Sequence, residues 1–242
     1  MLASIFVGAL AQRIAGLGFA LLISPFLVII LGAHAGVLMV NVCGLVSSLL
    51  IMFRVWKDVD WSMYRWLAVP AVIGSIPASI AAVYWPAAPM AVIVGAIVLV
   101  ALGASLVLAR NSVVVTGSPA QAIAGFASGV TNAVAGVGGP AVSAYAVMAR
   151  WPQRPFAATL QPFFVTIATV TLAVKLAMDP GQMPPFSVVA WVLIGVMIIG
   201  GIYAGERLQK HIRDDHVRFA VIVIAFLGAG AAMVKGIIDL VA

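Results

Sequence analysis

Two long apolar stretches of this chain are each interrupted near the middle by glycines. They run over 3–32 and 119–149, and each is about 30 residues long. One straight helix of that length would measure about 45 Å, against a hydrocarbon core of about 30 Å. Each stretch is therefore predicted to form two half-helices that meet at a break. The breaks lie 120 residues apart, at Ala15-Gly16-Leu17-Gly18-Phe19 and Ala135-Gly136-Val137-Gly138-Gly139-Pro140.

The composition indicates a bilayer as the surroundings of this fold. Hydrophobic residues make up 64% of the chain and charged residues 8%, which leaves too little polar surface to cover a water-soluble globule. The net charge of +6 comes from basic residues in short loops between apolar segments, where such residues set the orientation in the membrane. We therefore expect an integral membrane protein in contact with lipid, and we do not expect nucleic-acid binding.

Six further apolar segments have the length of membrane spans. They lie at about 35–53, 66–84, 90–109, 156–176, 187–205 and 219–237. Each half of the chain, 1–118 and 119–242, thus holds one broken stretch followed by three spans. The halves stay in register beyond the breaks, since Asn41 matches Gln161 at an offset of 120 and Gly74 matches Gly201 at an offset of 127. This pattern is typical of a transporter built from an internal repeat.

The distribution of Lys and Arg predicts how the two halves are oriented. Arg13 lies within the first broken stretch and is left out of the count. If both broken stretches cross the membrane, the other twelve basic residues divide six against six between the two sides, and if both dip in and return, they divide ten against two. If only the first stretch crosses, the basic residues also divide ten against two, so the count does not separate this case from two hairpins. The internal repeat favours two hairpins, because equivalent stretches are expected to fold alike. Because cytoplasmic loops carry the excess of basic residues, the loops at 54–65, 110–118, 150–155 and 206–218 are predicted to be cytoplasmic.

The predicted fold is therefore an all-α polytopic membrane protein with two inverted repeats. Each repeat consists of a re-entrant hairpin of broken helix followed by three transmembrane helices. Backbone that leaves helical hydrogen bonding at membrane depth must be surrounded by protein or by a wet cavity. We therefore expect the two breaks to line a cavity, with half-helix N-termini near Phe19 and Pro140 pointing toward it.

Such a cavity would favour an anion, because helix N-termini present unpaired N–H groups and the positive end of the helix dipole. The predicted substrate-binding glycines are Gly16, Gly18, Gly136, Gly138 and Gly139. At Gly138 and Gly139 we expect positive φ and a close approach of the backbone to the ligand. The alternative is that these glycines serve the close packing of helices.

Several polar side chains lie near the breaks or at matching positions of the two halves. Arg13 lies in the middle of an apolar stretch, where a charge is costly, and it is predicted to hold an oxyanion through its guanidinium. Its alternative role is to reach toward a membrane interface. The predicted neutral donors are Gln12, Thr131, Asn132, Asn41 and Gln161, whose alternative role is to join helices.

Other chemistry has little support in the sequence. All seven acidic residues lie in loops or at the ends of spans, the three histidines have no metal-ligand spacing, and Cys43 is the single cysteine. No phosphate-binding motif for a nucleotide is present. We therefore predict no catalytic residue, no metal and no cofactor, and we do not expect an enzyme.

The two glycine breaks also carry a resemblance. The first copy runs over 15–27 as AGLGFALLISPFL, and the second combines GFASG at 125–129 with GVGGPAVSAY at 136–145. This duplicated pattern resembles the signature of the TauE/SafE family of sulfite and organosulfonate exporters, over essentially the whole chain. The first copy departs from it at Phe19, where many members have glycine.

The resemblance implies a carrier in the bacterial inner membrane that exports a small sulfur-containing anion by alternating access. Sulfite, thiosulfate and short organosulfonates are the candidate substrates. A passive anion channel is the nearest alternative, followed by a membrane-embedded enzyme or an assembly subunit. A homodimer is compatible with such a chain.

Overall fold

The computed structural model describes residues 1–15, 19–108, 114–208 and 214–241. The regular structure in these ranges is helical throughout, and Gly16, Gly18 and parts of the loops at 110–118 and 206–218 lie outside them. The α-helices are α1 (Leu2–Ala15), α2 (Phe19–Leu31), α3 (Ala33–Val55), α4 (Trp61–Tyr84), α5 (Ala87–Leu108), α6 (Ser118–Ala135), α7 (Gly139–Met148), α8 (Gln153–Met178), α9 (Val188–Leu208) and α10 (Asp214–Val241). Two 3₁₀ turns lie at Trp56–Asp58 and Pro180–Gln182.

Six of these helices contain a segment long and apolar enough to cross a membrane, namely α3, α4, α5, α8, α9 and α10. They match the six predicted spans, and the prediction of an all-α polytopic membrane protein is confirmed. The helix α4 begins earlier than predicted, at Trp61, because Asp60 caps it. The Asp60 carboxylate accepts hydrogen bonds from the backbone N–H groups of Ser62 and Met63 at 3.1 and 3.0 Å, as N-cap residues commonly do.

The remaining helices are the arms of two hairpins. The Ile23 side chain of α2 fills the space beside the α-carbon of Gly8 in α1, although these residues would lie about 22 Å apart in one continuous helix. In the second hairpin, the backbone N–H of Val115 donates to the carbonyl of Met148 at 3.1 Å. This bond joins the segment before α6 to the end of α7. The chain therefore reverses direction at each break.

The second break shows how a helix ends inside this bundle. Gly136 follows α6 with φ 71° and ψ 9°, and its N–H donates to the Asn132 carbonyl at 2.8 Å. This left-handed conformation favours glycine. Pro140 lies in the first turn of α7, where its missing N–H is no loss.

The expectation of positive φ at Gly138 and Gly139 is wrong. Gly138 has φ −92° and is the N-cap of α7, which begins at Gly139. The positive-φ glycines of the described ranges are Gly32, Gly117 and Gly136. The reason is that termination of α6 needs the left-handed residue, whereas the start of α7 does not.

Each hairpin packs against a span of the other half of the chain. The helix α1 lies along α9, and α6 lies along α4. Gly201 and Gly205 of α9 face Phe6 and Leu10 of α1 in that order, so these two helices are parallel. In the second pair, Gly125 and Gly129 of α6 face Leu67 and Ala71 of α4 in the same way.

The spans α3 and α8 run antiparallel to one another. Arg154 at the start of α8 forms an ion pair with Asp58, just beyond α3, at 3.0 Å. At the opposite end, His34 of α3 is within electrostatic reach of Lys175 of α8. We call these the Asp58 end and the Lys175 end of the bundle.

The spans α5 and α10 are also antiparallel. Gly95 of α5 contacts Ala229 and Met233 of α10, whereas Gly236 of α10 contacts Val92 of α5. In both antiparallel pairs, the two helices occupy equivalent places in the predicted repeat.

The substitution Gly201→Ala is expected to destabilise the protein. An added methyl would overlap the Phe6 carbonyl oxygen, and overpacking costs about 1–3 kcal/mol, against a gain in helix propensity of about 1 kcal/mol. A fall of a few degrees in melting temperature should follow. Gly195→Ala on the same helix is the control, because its methyl would meet no atom within 4 Å. Equal melting temperatures of the two variants would contradict the close α1–α9 contact.

Candidate functional site

A cavity of about 40 Å³ lies where the second break meets the first hairpin. This volume exceeds the roughly 10–15 Å³ that one ordered water needs. Six predicted site residues line it, namely Gln12, Asn41, Asn132, Gly136, Gly138 and Gly139. The other lining residues are Phe19, Ala20, Leu21, Val40, Gly44, Ser48, Val137, Phe164 and Ala168. None of the lining residues carries a formal charge.

Two pairs of buried amides join the hairpins to the spans around this cavity. Asn132 Nδ2 of α6 donates to Asn41 Oδ1 of α3 at 2.8 Å, and Gln12 Nε2 of α1 donates to Gln161 Oε1 of α8 at 3.4 Å. Gln12 and Asn132 occupy equivalent places in the predicted repeat, as do Gln161 and Asn41. The same contact is therefore made twice, each time between a hairpin and a span of the other half.

The two span amides are oriented in the same way. Asn41 Nδ2 donates to the Val37 carbonyl at 2.9 Å, and Gln161 Nε2 donates to the Ala157 carbonyl at 3.0 Å. Each amide nitrogen is thus bound one turn back on its own helix. The oxygen of each amide accepts the hydrogen bond from the hairpin.

The amide of Gln12 is only partly satisfied. Its Nε2 donates to Ser48 Oγ at 2.9 Å as well as to Gln161, whereas its Oε1 is buried and has no partner in the described part of the chain. A buried acceptor without a partner costs about 1–3 kcal/mol. This oxygen is therefore available to a hydrogen-bond donor that enters the cavity.

The N-terminus of α7 adds hydrogen-bond donors to the cavity. Gly138 and Gly139 line it, and no side chain caps this helix. Ser128 Oγ donates to the Gly138 carbonyl, and Ser24 Oγ of the first hairpin donates to the Ala135 carbonyl at 2.5 Å. Carbonyls at the break are thus bound by the protein, and the first backbone N–H groups of α7 can serve an anion.

Arg13 is not among the residues that line the cavity. Its Nη2 lies 3.1 Å from Oε1 of Glu206 on α9, and Arg54 Nη1 of α3 lies 2.5 Å from the same oxygen. The parallel packing of α1 on α9 places Arg13 beside Gly205, one residue from this carboxylate. The Arg13 charge is thus balanced by an acid of the other half rather than left for a ligand in the cavity.

Thr131 also lies away from the amides. Its hydroxyl donates to the Ala127 carbonyl of its own helix at 2.9 Å. It lines a second, apolar cavity of about 390 Å³ between α5, α6 and α7. Gly16 and Gly18 lie outside the described residues.

Several lining residues were missed in the sequence, although helical spacing could have identified them. Ser48 lies two turns after Asn41, and Phe164 and Ala168 follow Gln161 by three and seven residues. Residues at such spacings share one face of a helix. These lining residues could therefore have been predicted from the positions that lie on the same helix face as each amide.

A metal centre has no support in the described part of the chain. No group of three or more His, Cys, Asp or Glu residues there could hold a metal ion. The donors around the cavity are amides, hydroxyls and backbone N–H groups.

The Asn41–Asn132 contact is expected to show energetic coupling. Either alanine variant breaks the same 2.8 Å bond, so the double variant should lose about 1 kcal/mol less unfolding free energy than the sum of the single losses. Unfolding of the four proteins in detergent measures this difference. Asn132→Ala combined with Thr166→Val is the control, because Thr166 bonds to Tyr64 and the Pro162 carbonyl instead. Additive losses in both cycles would contradict the contact.

One comparison with known proteins identifies a family. A family model described as Sulfite exporter TauE/SafE matches residues 1–232 of the 242-residue chain. The comparisons with curated proteins and with solved structures returned no match. The match covers both breaks and the amides that meet around the cavity, and it agrees with the resemblance carried by the sequence. The chain is thus a multi-pass membrane protein that belongs to the Sulfite exporter TauE/SafE family of transporters.

Proposed function

We propose that this protein transports a small sulfur-containing oxyanion through the cavity between its two hairpins. The observation that carries the proposal is the combination of an uncapped helix N-terminus with an unpartnered Gln12 oxygen at one uncharged cavity. Oxygen atoms of the anion would accept from the first N–H groups of α7. Asn132 and Asn41 would form part of the cavity lining beside the anion.

The cavity favours a singly charged anion. Its donors are neutral, and the cost of removing an ion from water rises steeply with its charge. Gln12 Oε1 also requires a donor, which a protonated oxyanion provides through its own O–H group. Hydrogensulfite therefore suits the lining through both its charge and its O–H group. Short organosulfonates suit it through their single charge alone, and the doubly charged thiosulfate suits it less well.

We propose that the two halves form inverted repeats with re-entrant hairpins. Equivalent helices run antiparallel, as in the α3–α8 and α5–α10 pairs, and each hairpin packs parallel to a span of the other half. These contacts are the ones expected when one half is turned over relative to the other. Alternating access would then exchange the roles of the two ends of the bundle.

The cluster of Arg13, Arg54 and Glu206 would serve as the gate at the Asp58 end. It joins α1, α3 and α9 through one carboxylate. Opening a path between these helices would require both ion pairs to separate. We propose that this end faces the cytoplasm of a bacterial inner membrane and that transport is export.

The large exposed apolar faces of α4 and α9 would contact lipid. They include Val69, Ile73, Val188 and Ile199. Formation of a homodimer stays a prediction, and the dimer would cover part of such a face.

Transport by reconstituted protein tests the proposed function. Sulfite uptake into liposomes should saturate and should be stimulated by sulfite on the opposite side, as expected of a carrier. Asn132→Leu should lower the rate about tenfold or more, because it removes the amide and narrows the cavity. Gly195→Ala is the control and should transport normally, since its site is open. Uptake that does not saturate would indicate a channel, and the absence of sulfite and methanesulfonate uptake would overturn the proposal.

The proposed orientation predicts a labelling pattern in intact cells. In a Cys43→Ala background, Ser187→Cys near the Lys175 end should react with an impermeant maleimide added outside. Lys57→Cys in the basic loop at 54–65 should react only after the cells are opened. The reverse pattern would invert the orientation, and outside labelling of both positions would contradict the topology.

A further inference from the structure

Lys175 of α8 is a buried cation outside the central cavity. Its side chain is 0% exposed, and Nζ has no hydrogen-bond partner among the residues that the structure describes. His34 of α3 is within electrostatic reach, and its Nδ1 is also buried without a partner. An ammonium group in this position is costly unless it is paired. Ionisable residues inside membrane spans commonly mark a substrate or ion pathway.

The groups near Lys175 do not balance its charge. His34 interacts with the Trp85 backbone and with Asp179, the residue that follows α8. The Asp179 carboxylate, however, accepts from the Gly181 backbone N–H at 3.0 Å and from Gln182 Nε2 at 3.2 Å. It therefore caps the following 3₁₀ turn, and it makes no ion pair with Lys175 within the described ranges.

The cations near the Asp58 end are arranged differently. Arg54 and Arg13 share the carboxylate of Glu206 at 2.5 and 3.1 Å, and Arg154 has Asp58 at 3.0 Å. Each of these guanidinium groups therefore has an acidic partner within the protein. Lys175 is more deeply buried than any of them and lacks an acidic partner among the residues that the structure describes. We therefore expect its partner to be a bound ligand.

A continuous helix face connects Lys175 to the central cavity. One face of α8 carries residues that follow one another at spacings of three or four, at positions 161, 164, 168, 171 and 175. Ala168 lines the cavity, and Thr171 accepts a hydrogen bond from Asn132 at 3.2 Å. Lys175 is the next residue of this face, about 10 Å along the helix axis from Ala168.

The neighbouring span α3 presents a matching face. Ser48, Gly44 and Asn41 line the cavity, and His34 lies two turns beyond Asn41 on the same side of the helix. Because α3 and α8 are antiparallel and in contact, the two faces run together from the amides to the His34–Lys175 pair.

We propose that Lys175 and His34 form a second anion-binding site, on the route between the central cavity and the Lys175 end of the bundle. The ligand class is a small, singly charged oxyanion, and its identity as the transported sulfur compound rests on the proposed function. The Lys175 ammonium would donate to its oxygens, and the His34 ring nitrogen would provide a second contact. An anion in this site would neutralise the buried charge as it enters or leaves the cavity.

The number of anions bound per protein tests this site. Equilibrium dialysis of the purified full chain with radiolabelled sulfite should give two bound anions, and Lys175→Met should retain one. The affinity of the lost site should fall about tenfold or more, the expected effect of removing a charged hydrogen-bond donor. Lys235→Met is the matched control and should bind two anions, because the exposed Lys235 donates to the Ile29 carbonyl instead. Two anions bound by Lys175→Met would overturn the site.

Nitrate separates this inference from the proposed function. If sulfite does not bind to the wild type but nitrate raises its melting temperature and has no such effect on Lys175→Met, the sulfur substrate is wrong and the site stands. If neither anion depends on Lys175, the site is wrong whatever the central cavity transports.

Stability in the absence of anions gives an independent readout. Lys175→Met should melt at the same or a higher temperature than the wild type, because it replaces an unpaired buried charge by an apolar chain of similar size. A lysine kept for structure would give a lower melting temperature and unchanged anion binding, which would contradict the proposal. His34→Gln removes the second member of the pair and should weaken the same site while the central one is retained.

Discussion

The structure depends on the satisfaction of backbone groups where helices break inside the bundle. Hydrocarbon offers these groups no partner, so each carbonyl and N–H at a break must be bound by protein or by a ligand. At the second break, Gly136, Ser128 and Ser24 supply these bonds, and Ser24 belongs to the other hairpin. The first N–H groups of α7 have no side-chain cap. The break and the cavity are therefore one feature, and the polar groups that the protein does not use define what the cavity can bind.

This requirement also explains why the two halves are interlocked. Each hairpin packs on a span of the other half, and each buried amide pair joins the halves. In a separated half, Asn41 and Gln161 would lose their hairpin donors, and the Ala135 carbonyl would lose Ser24. The cavity is thus a product of both halves, although each half carries a copy of the same pattern. Glu206 extends this arrangement, since it binds arginines of the first half from a helix of the second.

Much of this arrangement could be predicted from the sequence, because it depends on local signals. Apolar length predicted the six spans, glycines predicted the breaks, and repeat register predicted that Gln12, Asn132, Asn41 and Gln161 are related. The partner of Arg13 was not predictable in this way, since Glu206 lies 193 residues away and the sequence shows only that it is near the end of a span. Lys175 was missed for a similar reason, because a shift of one turn decides whether a residue near a helix end is buried.

The cavity of about 390 Å³ between α5, α6 and α7 has a mechanical consequence. In the first half, Phe26 of α2 packs directly against Gly228 of α10, so displacement of that arm would meet protein atoms at once. Beside α7, the cavity is lined by Val100, which is 71% exposed, so fewer protein atoms contact that side of the arm than in a close-packed interior. The second arms of the two hairpins thus differ in how closely the protein packs around them, and α7, which begins at Gly139, is the less closely packed one. The repeat in the sequence is thus compatible with a motion in which one hairpin moves more than the other.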